Sequence, residues 1–190
     1  MRAYELHAST KQVARSSGRS SIAAAAYRTG SVLHDERTGQ THDYTKKSGV
    51  EHSQIYFPDN APDWTKEAQT AHELREKLWN AAEAKENRRN STVSHELEIA
   101  FPTEFNAMQQ REAGGTISKE IVRRYNVAVD IAHHQPSRSG DQRNYHAHVL
   151  FTTRGFDDQR KDGWDKTKFL DLSRDTKDAK GNPYLNPGSA

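Results

Sequence analysis

The chain has 190 residues and a mass of 21.5 kDa, which is the size of one domain with a single core. It contains no cysteine, which excludes a disulfide framework, a cysteine nucleophile and a thiolate metal site. It also lacks an apolar run of the ~20 residues that a membrane-spanning helix requires, and its first residues lack the apolar stretch of a signal peptide. These features predict a soluble, cytoplasmic protein without membrane insertion, in which histidines and carboxylates would be the ligands of any metal ion.

Charge is nearly balanced, with 28 basic and 26 acidic residues, but it is unevenly distributed. Residues 1–30 contain five cations and one acid. Three of these cations are candidates for binding the phosphates of a nucleic acid, namely Arg15, Arg19 and Arg28. A solvated cationic loop explains the same composition, so both interpretations stay open at this point.

Short periodic runs define the elements of the first third of the chain. Alternation of apolar and polar residues over positions 4–8 predicts a first strand. A loop rich in serine and glycine then leads to an alanine-rich helix, with Ser20 as its N-cap and Gly30 near its end. Turn signals at residues 38–39 and 48–49 predict one or two β-hairpins.

The rest of the chain alternates between helices and strands. Apolar stripes and capping residues predict two helices, which run from Asp63 or Thr65 to about Arg89 and from Asn106 to about Tyr125. Strict alternation predicts three strands, at residues 92–101, 127–134 and 145–153. The tail is polar and rich in turns, with at most one short helix at residues 166–174.

Alternation places five polar side chains on one face of these three strands, opposite the apolar side chains. They are Glu96, Glu98, His134, His146 and His148. The pattern predicts an α+β fold in which an antiparallel central sheet carries helices on one face and the polar residues on the other.

The sequence His146-Ala147-His148 puts two imidazoles side by side on one strand face. A third imidazole from a neighbouring strand would complete a three-nitrogen metal site with open coordination positions, as in catalytic centres. A chance pair of surface histidines is the alternative, because two histidines at this spacing are a weak signal alone. His133 is the rival of His134 for the third position, but it lies on the apolar face, where a structural role is expected.

Three blocks of sequence follow one another across nearly the whole chain: RSSGRSSIAAAAYR, HELEIAFP and DIAHHQPSRSGDQRNYHAHVLFTTR. With them the chain resembles the MobA/MobL group of plasmid-mobilisation relaxases, which nick one strand of a conjugative plasmid at its transfer origin. The family's histidine-hydrophobe-histidine (HUH) signature corresponds to residues 146–148, and its upstream histidine corresponds to His134. Tyr145 stands where many members of the family have proline, so the resemblance does not predict the exact conformation of the turn before the signature.

The resemblance implies an HUH relaxase-like fold and a metal-dependent single-strand DNA endonuclease that is also a transesterase. The family's nucleophilic tyrosine corresponds to Tyr27, and the acidic pair of its middle strand corresponds to Glu96 and Glu98. The family implies Mg²⁺ or Mn²⁺, whereas three neutral imidazoles by themselves favour Mn²⁺ or Zn²⁺. The expected partners are single-stranded DNA of the transfer origin, accessory relaxosome proteins and the coupling protein of a secretion system.

The resemblance also implies a division of the chain. Residues 1–155 would form the nicking domain, and residues 156–190 would be a C-terminal extension of the same domain, in a chain truncated from a longer protein.

The chemistry of the candidate residues agrees with these roles. A tyrosine that attacks a phosphodiester forms a 5′-phosphotyrosyl ester, keeps the bond energy for rejoining and releases a free 3′-OH. An ordinary phenol, with a pKa of ~10, is protonated at neutral pH, so a carboxylate or a metal must assist. Glu96 is the candidate base, and Glu98 is a candidate for orienting a histidine. Weaker acidic candidates lie in the hairpin region and are Asp35, Glu36 and Asp43.

Three alternatives stay open. Tyr27 has helical spacing from Ala23, which also suits a core aromatic residue. A rolling-circle replication initiator uses the same tyrosine and histidine chemistry, but initiators place the tyrosine after the histidines, whereas here it precedes them. A non-catalytic module that binds single-stranded DNA, in which the histidines are inert, is the third.

Overall fold

The computed structural model describes residues 7–137 and 141–169. Its strands are β1 (His7–Ala14), β2 (Val32–Asp35), β3 (Gln40–Asp43), β4 (Val50–Tyr56), β5 (Thr92–Ala100), β6 (Val129–His134), β7 (His146–Thr152), β8 (Arg154–Phe156) and β9 (Trp164–Lys168). Its α-helices are α1 (Ser21–Thr29), α2 (Trp64–Glu67), α3 (Ala71–Lys85) and α4 (Ala107–Tyr125). Five strands form an antiparallel sheet in the order β1-β5-β7-β6-β4, and β2-β3 and β8-β9 form two hairpins. The predicted α+β class and the antiparallel central sheet are confirmed.

Helices cover both faces of the sheet, so the prediction of helices on one face only is wrong. Neighbouring residues of a strand point to opposite faces. Asp130 of β6 pairs with Arg75 of α3, whereas the next residue, Ile131, packs against Gly114 of α4. The prediction failed because Asp130 looks solvent-exposed by sequence, while in the structure its charge is buried and balanced by Arg75. All six residues of β6 are buried, which requires cover on both sides.

The helix caps agree with the sequence analysis. The Ser20 side chain accepts a hydrogen bond from the backbone N–H of Ala23, and Gly30 ends α1 in the left-handed region with a φ of 62°. A residue with a side chain is strained in that conformation, which explains why glycine ends this helix. Asn106 and Gln109 form the predicted capping box of α4.

Three boundaries differ from the prediction. The long helix after Asp63 is divided, because Ala68 is extended and Thr70 caps a new helix by accepting from the N–H of Glu73. Of the helix predicted near the end, residues 166–168 belong to β9 instead, and residues 170–174 lie outside the described residues. The first strand was predicted at residues 4–8; β1 includes residues 7–8 and continues to Ala14, while residues 4–6 lie outside the described residues.

The sheet separates two hydrophobic clusters. One lies under α1 and α3 and includes Ile22, Trp79 and Leu150. The other lies under α4 and includes Ile131 and Val149. Phe156 and Trp164 of the β8-β9 hairpin pack into the first cluster, so the core extends past residue 155. Among the described residues, no helix is both long and apolar enough to span a bilayer.

Candidate metal centre and nicking site

The three predicted histidines come together on one face of the sheet. His134 of β6 lies opposite His146 of β7, and His148 lies two residues further along the same face. The ring centroids are 5.0–5.3 Å apart in all three pairs. One ring nitrogen from each side chain lies within 4.8 Å of the others, so a single ion could contact all three.

Hydrogen bonds fix the orientation of each ring. His148 Nδ1 donates to Glu96 Oε1 at 2.6 Å, and His146 Nδ1 donates to the carbonyl oxygen of Asn144 at 2.9 Å. His134 Nε2 donates to the carbonyl oxygen of Arg28 at 2.6 Å. Each imidazole is therefore left with one nitrogen that accepts, which is the arrangement of a histidine that binds a metal.

Two of the three histidines have a lowered pKa. Burial and, to a smaller extent, the nearby charges of Lys47 and His148 together lower the pKa of His134 to about 3. Burial also lowers the pKa of His146, against a hydrogen bond to Asn144 that acts in the opposite direction. Both rings are neutral at physiological pH, the form that binds a cation. The donor set fits a divalent transition metal, and manganese and zinc suit three imidazoles better than magnesium does.

Glu96 is buried between a cation and a histidine, a position that does not favour the expected role of general base. Its carboxylate accepts from Arg28 Nε at 2.6 Å, from Arg28 Nη2 and from His148 Nδ1. Burial by itself would raise the pKa of Glu96, but the hydrogen bonds from His148 and Arg28 outweigh it and lower the pKa to about 2. A carboxylate that is so weakly basic and already accepts three hydrogen bonds is a poor acceptor for a phenol proton.

Glu98 lies next to this group on the same strand face. Its carboxylate pairs with Lys11 Nζ at 2.5 Å, and this hydrogen bond lowers the pKa of Glu98. One ligand atom each from Glu96, Glu98 and His148 also lie within 4.8 Å of one another. The acidic pair therefore borders the histidine cluster on the side of β5.

Tyr27 lies in the last turns of α1 and is half exposed, so the core-aromatic alternative does not describe it. Its ring packs edge-on against Tyr44, at 5.2 Å between centroids, and Lys47 Nζ lies 3.8 Å from its ring centroid. The next residue, Arg28, binds Glu96 through its side chain and His134 through its carbonyl oxygen. The helix end that carries Tyr27 is thus attached to the histidine cluster at two points.

A cleft of about 990 Å³ extends from Tyr27 and Glu96 along the loop before α1 and the β2-β3 hairpin. Arg19, Arg37 and Arg89 line it, and Arg19 and Arg89 are exposed. Neither forms an ion pair within the part of the chain that the structure describes. Of the predicted DNA-binding cations, Arg19 is therefore free to meet a phosphate.

The other two predicted DNA-binding arginines are engaged within the protein. Arg15 donates to the side chain of Glu83 and to the backbone carbonyl oxygens of Glu83 and Glu86, and its side chain is largely buried. Arg28 is held by Glu96. Both charges were assigned to DNA because a sequence does not reveal a buried carboxylate partner. Their positions favour a structural role for Arg15 and an organising role for Arg28.

The remaining candidates lie outside the histidine cluster. Asp35 is buried and accepts from Ser20 Oγ and from the backbone of the β2-β3 turn, and Asp43 accepts from Thr45. Glu36 is exposed. His133 lies on the opposite face of the sheet, where its ring stacks on Phe101, in agreement with the sequence analysis.

Sequence reasoning missed Lys47, Arg37 and Arg89. The chain contains Lys46 and Lys47 side by side, and only Lys47 contacts Tyr27. No local pattern separates the two lysines, because the contact depends on how the segment after β3 packs against the end of α1.

The fold and the site define an α+β protein that places a three-histidine candidate metal centre against the end of a tyrosine-bearing helix. The chain belongs to the MobA/MobL family, whose model matches residues 19–185. This match confirms the resemblance found in the sequence.

Individual relatives agree with the family. The chain is 35% identical over 167 residues to the mobilization protein MobL of Acidithiobacillus ferridurans, an alignment that covers 77% of this chain and 42% of the relative. It is 33% identical over 162 residues to a probable mobilization protein MobA of Bifidobacterium longum, covering 85% and 27%. It is 32% identical over 157 residues to the conjugal transfer protein TraA of Rhizobium radiobacter, covering 80% and 14%. The chain thus spans less than half the length of these relatives.

A solved structure has the same fold. It comes from work on the molecular basis of vancomycin resistance transfer in Staphylococcus aureus, and it superimposes with a TM-score of 0.73 at 28% sequence identity. The match covers 89% of this chain and 82% of that one.

Proposed function

We propose that the chain is the nicking domain of a conjugative DNA relaxase, which cuts one strand of a plasmid at its transfer origin and is able to rejoin it. The observation that carries this proposal is the attachment of the Tyr27 helix end to the three-histidine cluster, through Arg28 to His134 and to Glu96. Membership of the MobA/MobL family supports it. The order of tyrosine before histidines favours a relaxase over a replication initiator.

In the proposed reaction, the phenolic oxygen of Tyr27 attacks the phosphorus of the scissile phosphodiester. A bond forms between this oxygen and phosphorus, and the bond from phosphorus to the 3′ oxygen breaks. The phenol proton passes to solvent, to which the half-exposed side chain has access, and the leaving 3′ oxygen takes up a proton. The products are a 5′-phosphotyrosyl ester and a free 3′-OH, and the reverse reaction reseals the strand.

His134, His146 and His148 would hold a divalent ion, which polarises the non-bridging oxygens of the phosphate when bound. Glu96 orients His148 by accepting from its Nδ1, and Arg28 compensates the buried charge of Glu96. Mn²⁺ satisfies both the imidazole donors and the expectation from the family, and Mg²⁺ and Zn²⁺ are the other candidates.

The proposed substrate is single-stranded DNA, because a site on a sheet face needs a phosphate whose flanking nucleotides are free to spread. Accessory relaxosome proteins and a secretion-system coupling protein are the proposed partners of the parent protein. Because the proposed substrate is a plasmid, the proposed location of the reaction is the cytoplasm.

The decisive experiment is incubation of the protein with labelled single-stranded origin DNA and Mn²⁺, followed by denaturing electrophoresis. The protein should form a covalent adduct. Tyr27→Phe should abolish the adduct and leave DNA binding nearly unchanged, since the hydroxyl acts in the chemistry more than in affinity. Tyr125→Phe, which alters another exposed tyrosine, should keep the adduct.

Two results would contradict the proposal. Absence of any adduct with the unaltered protein would favour the non-catalytic DNA-binding module. An adduct that persists in Tyr27→Phe would move the nucleophile to another tyrosine, of which Tyr44 is the first to test because it packs against Tyr27.

A further inference from the structure

The side chain of Lys47 lies over the face of the Tyr27 ring. Its Nζ is 3.8 Å from the ring centroid and donates a hydrogen bond to the carbonyl oxygen of Tyr27 at 2.8 Å. An ammonium group over an aromatic face is attracted by the electron density of the ring. Lys47 therefore contacts both the backbone and the ring of the proposed nucleophile.

The segment that carries Lys47 is fixed against the end of α1. The N–H of Lys47 donates to the carbonyl oxygen of Tyr44, and the N–H of Tyr44 donates to the carbonyl oxygen of Ser31. A Cβ atom at Gly30 would lie 3.6 Å from the carbonyl oxygen of Lys47, which shows how closely the segment packs against the helix end. The contact between Lys47 and Tyr27 is thus supported by the backbone and does not depend on the side chain alone.

The charge of Lys47 has no carboxylate partner within the described part of the chain. The titratable and charged groups that face it are Tyr27 and Arg28 on α1, Tyr44 before it, His134 on β6 and His146 on β7. Burial and, to a smaller extent, the charge of Arg28 together lower the pKa of Lys47 to about 8. Lys47 is therefore mostly protonated at neutral pH, and it is a half-buried cation without an anion beside it.

We propose that Lys47 is a positioning residue of the nicking reaction, which holds the Tyr27 ring and stabilises the negative charge that develops on it as the phenol loses its proton before attack. This inference rests on the proposed function. Its Nζ lies over the ring face and not in line with the hydroxyl, so it acts through charge and position, and the phenol proton still passes to solvent.

The test compares Lys47→Met, Lys47→Arg and the control Lys46→Met. Lys46 is the exposed neighbour on the same segment, and its charge acts on Asp43, whereas the charge that lies over the Tyr27 ring is that of Lys47. With origin DNA and Mn²⁺, Lys47→Met should form the adduct about 10–100-fold more slowly, and the pH of half-maximal rate should rise by about one unit. Lys47→Arg should restore both to nearly the unaltered values, because it keeps the charge, and Lys46→Met should change neither.

A second measurement needs neither DNA nor metal. In protein labelled with [¹³Cζ]tyrosine, the Tyr27 resonance is assigned by its loss in Tyr27→Phe; Lys47→Met should shift this resonance, and Lys46→Met should not. An unaltered protein that forms no adduct would overturn the proposed function, while the resonance shift would still report on the Lys47 contact. An unaltered protein that forms the adduct, with the same rate and pH profile in Lys47→Met, would overturn the role of Lys47.

Discussion

Glu96 contacts both parts of the candidate site, because one of its oxygens accepts from His148 and both accept from Arg28. Its side chain is 1% exposed, so its charge is compensated by protein groups and not by water. A buried ion pair of this kind adds little net stability, but removal of one partner is costly because the other charge is left buried and unpaired. Glu96 therefore matters more for the arrangement of the site than for proton transfer.

Glu96→Gln should destabilise the fold and weaken metal binding together. The free energy of unfolding should fall by about 3 kcal/mol, because Arg28 loses its counter-charge. The affinity for Mn²⁺ should fall about 10–100-fold, because His148 loses the acceptor that orients its ring. Urea unfolding and calorimetric titration with Mn²⁺ measure the two effects.

Two variants calibrate this result. His148→Ala gives the loss expected when a ligand itself is removed. Glu98→Gln breaks a partly exposed ion pair with Lys11, for which about 0–1 kcal/mol is expected. Equal affinities for Mn²⁺ in Glu96→Gln and the unaltered protein would show that Glu96 does not orient His148.

His95 should make the stability of the fold depend on pH. It is buried on the α4 side of the sheet, stacked on Phe151, and burial and the charge of Lys168 lower the pKa of His95 to about 4. The ordinary pKa of a histidine is 6.5, so as the pH falls the unfolded chain binds a proton before the folded chain does. The neutral His95 side chain makes its full contribution to the free energy of unfolding above pH 6.5. This contribution is lost as the pH falls from about 6.5 to about 4, at up to about 1.4 kcal/mol per pH unit.

His95→Gln should remove that part of the acid dependence. Urea unfolding of metal-free protein between pH 4 and pH 8 measures it. Above pH 7 the variant differs from the unaltered protein only by its packing, which provides an internal reference. Parallel stability curves across the whole range would contradict the assignment.

At the scale of elements, α4 contains two consecutive glycines, which lower its intrinsic helix propensity by ~1 kcal/mol each. The structure explains this cost at Gly114. A Cβ atom there would lie 2.6 Å from His133 Nε2 and 2.8 Å from Ile131 Cδ1, both on β6. The glycine lets α4 approach the strand whose opposite face carries His134.

Gly114→Ala should therefore destabilise the protein by about 1–3 kcal/mol, although alanine is the better helix former. Thr116→Ala on the exposed side of α4 should be neutral or slightly stabilising. Denaturant unfolding of both variants measures the difference. Gly114→Ala that is more stable than the unaltered protein would mean that α4 moves away from the sheet at little cost.

The elements differ in how much of them the sequence predicts. The caps of α1 and α4 and the strand faces of β5, β6 and β7 follow from local chemistry, and the sequence predicts them correctly. The division between α2 and α3 is not predicted, because the apolar stripe continues across it while Ala68 takes an extended conformation. The helices on both faces are not predicted either, because the partner of Asp130 is distant in sequence.

The same distinction applies to the site. The three histidines are predictable, because alternation and pairing of adjacent strands place them together. The positions of Arg15, Arg28 and Glu96 cannot be predicted from the sequence, because each residue belongs to an ion pair whose two partners are 68 positions apart. Lys47 is also unpredictable, because its contact with Tyr27 is made by an irregular segment.

At the scale of the whole molecule, the exposed cations of the cleft should dominate the salt dependence of DNA binding. Each Lys or Arg that meets a phosphate displaces counterions from the strand. In the double variant Arg19→Ala, Arg89→Ala, the plot of log K for DNA binding against log salt concentration should be less steep, by about 0.7 for each cation removed. Fluorescence anisotropy with origin and scrambled oligonucleotides across a salt series measures this slope.

Arg123→Ala is the matched control, because Arg123 is exposed on α4 and already paired with Glu120. It should leave the slope unchanged. Origin DNA should bind more tightly than scrambled DNA at salt concentrations that remove non-specific binding. Equal affinity for both at every salt concentration would favour a generic single-strand binder over a relaxase.

Protein synthesis begins at the N-terminus, so α1 and Tyr27 leave the ribosome long before the last histidines do. β7 is the last of the five sheet strands in the chain, yet it lies at the centre of the sheet, between β5 and β6. Until it is inserted, the β1-β5 pair and the β4-β6 pair have no strand to join them, and His146 and His148 are absent. A nascent chain, or one cleaved before β7, thus carries Tyr27 and His134 without His146 and His148. The order of the strands thus makes the proposed site one of the last parts of the sheet to be completed during synthesis.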